Sequence, residues 1–123
     1  MTALATSANI LFVDDEPFIL RSLQRLFSSV YNVFTASSGL EAIQIVSQNQ
    51  IHVVVCDQRM PEMIGVEALA VIKEISPATM RILLTGYSDM AALVDSINDG
   101  EIFRYILKPW NNKELKEIVG CAA

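Results

Sequence analysis

Five short apolar runs, each followed by a stretch with helical spacing, constrain this chain more than any other feature. The runs are Asn9–Val13, Asn32–Ala36, Ile51–Cys56, Met80–Leu84 and Phe103–Leu107. After the first, Pro17 suits the opening turn of a helix, and Ile19, Leu20, Leu23, Leu26 and Phe27 recur at i, i+3, i+4 spacing. Ser37 or Ser38 can cap a second helix that turns Leu40, Ile43 and Val46 inward. A third carries Val66, Leu69, Ala70 and Ile72 and stops at Ser76–Pro77. A fourth is predicted over Ser88–Gly100, with Ala92, Leu93 and Ile97 on its apolar side. Asn111 or Asn112 starts a last helix through about Val119. Ile51–Cys56 (IHVVVC) is apolar almost throughout, as a strand covered on both faces must be, whereas Asn32–Ala36 is more polar and reads as an edge. Five strand–helix alternations predict an α/β fold, a parallel sheet with helices on both faces.

The 123 residues suit one domain, taken as 9–119, with 1–8 and 120–123 as terminal segments. A hydrophobic fraction of 52% excludes disorder. Fourteen acids against nine bases give a net charge of −5, which argues against direct contact with nucleic acid or an anionic membrane. Cys56 and Cys121 are too far apart for a zinc motif and too few for a disulfide scaffold, which fits a reducing compartment. Residues 1–8 hold no basic residue and no apolar run reaches membrane-spanning length, so a soluble, cytoplasmic protein is expected.

Ligands of such sheets bind beyond the carboxyl ends of the strands. There the chain places Asp14, Asp15 and Glu16 after the first run, Asp57 after the third, Thr85 after the fourth and Lys108 after the fifth. If the first and third strands are neighbours, carboxylates converge. Two such charges ~4 Å apart repel by about 4 kcal/mol at an effective dielectric of ~20, and a hard divalent cation offsets that cost. The alternative, that Asp14–Glu16 only caps the first helix, leaves Asp57, Thr85 and Lys108 unaccounted for. Carboxylates, magnesium, one lysine and one hydroxyl describe phosphoryl transfer. Because no phosphate-cradling glycine loop occurs, the nucleophile is expected to be an aspartate forming an acyl phosphate.

The strings FVDDEP, VVVCDQRMPEM with Gly65, LLTGY and YILKPW, in this order over about Asn9–Val119, resemble the receiver domain of two-component response regulators. The resemblance implies a flavodoxin-like, five-stranded sheet in the order 2-1-3-4-5. It implies that Asp57 is the phosphoacceptor and that Asp14, Asp15, Asp57 and the backbone carbonyl of Arg59 surround Mg2+. It assigns Thr85 and Lys108 to the phosphoryl group, and Thr85 with Tyr105 to the switch. By the same carry-over, Arg59 and Tyr87 flank the path of the hydrolytic water and would prolong the phosphorylated state. Implied partners are a histidine kinase and an attached or separate output domain, with room for a homodimer. One departure is Ile64, where the family often has a polar residue able to cap the next helix.

A phosphorylation switch that catalyses only its own phosphorylation and dephosphorylation is therefore the expected function. A magnesium-dependent aspartyl phosphatase is the enzyme alternative, but such enzymes commonly need an acid/base aspartate two positions after the nucleophile, where Arg59 stands. DQRMP together with ILKPW resembles receivers attached to enhancer-binding transcriptional activators, including hydrogenase-type regulators, and receivers attached to HD-GYP phosphodiesterases. Transcriptional regulation is the favoured output. His52, Cys56 and Trp110 read as packing residues, and Cys121 as inert.

Overall fold

The computed structural model describes residues 8–86 and 104–123. Its elements run β1 (Asn9–Val13), α1 (Pro17–Phe27), β2 (Asn32–Ala36), α2 (Gly39–Gln48), β3 (Val53–Asp57), α3 (Gly65–Ile75), β4 (Met80–Thr85), β5 (Arg104–Leu107) and α4 (Asn112–Ala122). The helix predicted over Ser88–Gly100, and with it Tyr87 and Phe103, lies outside the described residues. The strands form one parallel sheet in the order β2-β1-β3-β4-β5, the doubly wound, flavodoxin-like arrangement the resemblance implies.

Side chains alternate across the strands and so build two cores. Leu11, Val13, Val54, Cys56 and Leu83 face α2 and α3, where Ala42, Val46, Ala68, Leu69 and Ile72 cover them. Ile10, Phe12, Val53, Val55, Ile82, Leu84 and Ile106 face α1 and α4, meeting Leu20, Leu23, Phe27, Leu115, Ile118 and Val119. The rings of Phe12 and Phe27 tilt against each other at 5.0 Å. Every residue of β3 is buried, as its apolar run requires of a central strand.

The stripe expected on α1 is in place: Leu20, Leu23 and Phe27 are buried, and Ile19 and Leu26 half-buried. On α2 one expectation fails, because Leu40 is 57% exposed. The buried line there is Gly39, Ala42 and Val46, small because α2 packs on the α3 side and Met63 closes on the Gly39 backbone. Caps fall where polar residues were expected. Ser38 Oγ accepts from Glu41 N–H at 3.1 Å, and Asn111 Oδ1 from Glu114 N–H at 3.1 Å. The last helix runs to Ala122, past its predicted end near Val119.

At the amino end of the sheet, side-chain amides tie three strands. Asn9 N–H donates to His52 Nδ1 at 2.9 Å, Asn9 Nδ2 to the Gln50 carbonyl at 2.6 Å, and Asn32 Nδ2 to Asn9 Oδ1 at 3.1 Å. His52 is thus a structural acceptor. The opposite end, where the strands point their carboxyl termini, carries the acids.

Candidate functional site

Strand register decides which residues meet. Val13 pairs with Cys56, so Asp14 and Asp57 emerge side by side from the two central strands. Asp57 pairs with Leu84, and Thr85 with Leu107, which carries Thr85 and Lys108 to the same edge. Ligand oxygens of Asp14, Asp15 and Asp57 lie within 4.8 Å of one another. Asp14 and Asp57 are 1% and 5% exposed, while Asp15 is open to solvent.

The two oxygens of Asp14 have different lives. Oδ1 accepts the Glu16 N–H at 2.9 Å and so serves the start of α1, where Glu16 itself supplies no side-chain cap. Oδ2 is buried and has no hydrogen-bond partner. A cap alone explains the first atom and not the second. Burial pushes the Asp14 carboxyl up from its ordinary 3.8 to about 6, the Glu16 hydrogen bond opposes this, and the charge of Asp57 adds to it. An orphaned buried oxygen beside two other carboxylates fits a hard, oxygen-loving divalent cation, and these three aspartates could hold one.

Lys108 supplies the opposing charge. Its Nζ lies 2.5 Å from Asp57 Oδ1, and its backbone N–H donates to the Thr85 carbonyl at 2.8 Å, fixing the loop to β4. The Lys108–Pro109 bond is cis. Thr85 is buried, and among the described residues its hydroxyl donates to the Gly86 carbonyl at a long 3.4 Å. Thr85 and Tyr105 lie on the same face of the sheet one pair apart, because Leu83 pairs with Tyr105 and Thr85 with Leu107. Tyr105 is 37% exposed. Arg59 is exposed on the loop after Asp57; Tyr87 lies outside the described residues. Cys56, adjacent to Asp57 in sequence, faces the other way into the α2–α3 core, and burial raises its thiol far above the ordinary range. Trp110 packs against the α1–α4 core and, with Glu16, Ile19, Lys108 and Pro109, lines an open groove of about 460 Å³ beside the site.

One residue escaped the sequence reading. Gln58 is nearly buried, its Oε1 accepting the Val66 N–H at 3.0 Å and its carbonyl the Gly65 N–H at 2.9 Å. It thereby satisfies the first turn of α3, whose N-cap, Ile64, has no side-chain acceptor to offer. Glu67 completes the arrangement by accepting from Ile64 N–H at 3.1 Å. The signal that could have found Gln58 is Ile64 itself, since a missing cap calls for a substitute. Gly65 is required for another reason: a Cβ there would run into the Asp57 carbonyl oxygen and come within 2.8 Å of Leu83 Cδ1.

Comparison with known proteins agrees with this geometry. The family model of the response regulator receiver domain matches residues 10–120. Hydrogenase transcriptional regulatory protein HoxA of Cupriavidus necator is 39% identical over 103 residues, covering 84% of this chain and 21% of HoxA. The chain thus spans about a fifth of that relative's length. A signal receiver domain of an HD domain-containing protein from Pseudomonas fluorescens Pf-5 superposes with a TM-score of 0.88 at 35% identity, over 99% of this chain and 90% of that one. An adenylate cyclase structure from Rhodopirellula baltica gives 0.91 at 32% identity, over 94% of this chain and 87% of that one. No helix among the described residues is long and apolar enough to cross a membrane. With the family model matching nearly end to end and the acids, threonine and lysine gathered at one sheet edge, this chain belongs to the response regulator receiver domain family.

Proposed function

We propose that residues 9–119 form a phosphorylation switch in which Asp57 accepts a phosphoryl group from a histidine kinase. The observation that carries this is the meeting of Asp14, Asp15 and Asp57 within 4.8 Å, with Lys108 2.5 Å from the central carboxylate. An Asp57 carboxylate oxygen attacks phosphorus as the phosphorus–nitrogen bond of the donor breaks, its electron pair returning to the imidazole, which takes up a proton. Lys108 moves from pairing with the carboxylate to pairing with a phosphoryl oxygen. Asp14, Asp15, Asp57 and the Arg59 carbonyl would hold magnesium, which would neutralise charge on the transferring group. Burial of Asp14 and Asp57 keeps bulk water from competing for these contacts.

The Thr85 hydroxyl, 3.4 Å from the Gly86 carbonyl, can turn to the new phosphoryl group, and Tyr105, on the same face and part-exposed, can follow it inward. Two states a few kcal/mol apart suffice for such a switch. For the output we favour transcriptional regulation, on the 39% identity to HoxA. Fold likeness does not choose it, since chains of an adenylate cyclase and of an HD-domain protein superpose about equally well. The test of the switch is incubation with a small phosphodonor and magnesium. One phosphoryl group per chain is expected, lost in Asp57→Asn, and an Asp57→Asn protein labelled in full would overturn the assignment.

A further inference from the structure

We propose that Gln58 is a positioning residue for the aspartyl site, clamping the strand end that carries Asp57 to the start of α3. This rests on the reading of Asp57 as phosphoacceptor and of the Arg59 carbonyl as a magnesium ligand. Gln58 stands between those two residues, and three of its polar groups have partners on neighbouring elements. Its N–H donates to the Leu84 carbonyl of β4 at 3.0 Å. Its carbonyl accepts from Gly65 N–H at 2.9 Å, and its side-chain oxygen from Val66 N–H at 3.0 Å. Because Val66 N–H can only donate, the amide orientation is fixed: oxygen toward the helix.

An ordinary N-cap satisfies a helix from its own preceding residue and leaves the helix independent of what lies before it. Here that residue is Ile64, and the task falls to a side chain six positions earlier, next to the reacting aspartate. The capping of α3 and the placing of the Asp57–Arg59 backbone thus become one interaction. Glu62 in the middle of the loop holds a left-handed φ of 71°, Met60 is buried in the α2–α3 core and Met63 packs against it, so the loop is anchored on that core. Magnesium demands near-ideal octahedral geometry, so a displaced carbonyl or carboxylate lowers affinity even when every ligand is present.

Two substitutions separate positioning from capping. Gln58→Met keeps the length and removes the acceptor; Ile64→Ser supplies a cap from the usual place. Magnesium affinity by NMR titration, labelling rate with a small phosphodonor, and thermal melting are measured for the parent, both single variants and the double variant. Gln58→Met is expected to melt lower, bind magnesium about tenfold more weakly and label correspondingly slower. In Gln58→Met/Ile64→Ser the melting temperature should recover while magnesium affinity and labelling rate stay low. Recovery of all three in the double variant would make Gln58 a helix cap only and overturn the proposal, as would parent-like affinity and labelling in Gln58→Met. A parent chain that takes no label would instead overturn the phosphoacceptor reading, and this inference with it.

Discussion

Asp14 pairs one carboxylate oxygen with the backbone and leaves the other buried without a partner, which gives the metal-free protein a pH signature. Its carboxyl, pushed up from 3.8 to about 6, binds a proton in the folded state where the unfolded chain has already released it. Between about pH 4 and 6 the folded state therefore holds more protons, and the Asp14 contribution to stability falls as pH rises. Asp14→Asn should flatten that part of the profile and leave the metal-free protein more stable than the parent at pH 7. Urea unfolding from pH 4 to 7 without magnesium checks it, and parallel profiles for the two proteins would contradict it. Lys108 presents the opposite case. Its side chain is 35% exposed, so the pair with Asp57 is screened, and Lys108→Met should cost only about 1 kcal/mol while nearly abolishing the conformational response to phosphorylation. Arg59 is exposed beside the site, and Arg59→Asn should shorten the life of the acyl phosphate severalfold in a dephosphorylation time course. The contrast among these three residues is of burial: removing the buried Asp14 charge should show in folding as well as at the metal site, and removing the exposed Arg59 charge at the site alone.

Two helices carry glycines whose replacement should have opposite effects. Gly65 opens α3 against the Asp57 carbonyl, so Gly65→Ala must push apart the strand end and the helix, destabilising by a few kcal/mol and impairing labelling. Gly120 lies in α4, where among the described residues an added Cβ would meet only the Tyr31 hydroxyl at 3.8 Å, so Gly120→Ala should stabilise by up to about 1 kcal/mol. Thermal melting of both variants decides the matter. The strands and most helix caps were legible because apolar runs, serines and asparagines act locally: Ser38 and Asn111 cap where their neighbours in sequence need them. The site's acids, threonine and lysine were legible because each follows an apolar run, and parallel pairing then brings strand ends together. Leu40 was misjudged because helical spacing says that a face is buried but not that a small residue will occupy it. What α2 meets is Met63, a residue from a distant loop. Gln58 was missed for a related reason. Its partner lies eight residues on, beyond any local capping pattern, and an isolated glutamine after an aspartate carries no periodic signal.

Across the whole molecule, the sheet divides the core into two chemically separate halves and puts a closed, amide-tied edge opposite an acidic one. Ligand binding at the acidic edge should therefore stabilise the entire fold by mass action, about 2.7 kcal/mol at a magnesium concentration a hundredfold above its dissociation constant. Melting with and without magnesium should show that gain in the parent and lose most of it in Asp15→Ala. The division of the core also leaves Cys56 fully enclosed at the strand end beside Asp57, while Cys121 is exposed on α4. The chain consequently carries its own clock. A colourless thiol reagent that releases a dye will consume Cys121 at the rate of a free thiol. It can reach Cys56, which is fully buried, only when the centre of the sheet opens. The interval between the two bursts of colour times that opening, and its lengthening on addition of magnesium or a phosphodonor would register, without any label, how firmly an occupied site holds the sheet shut.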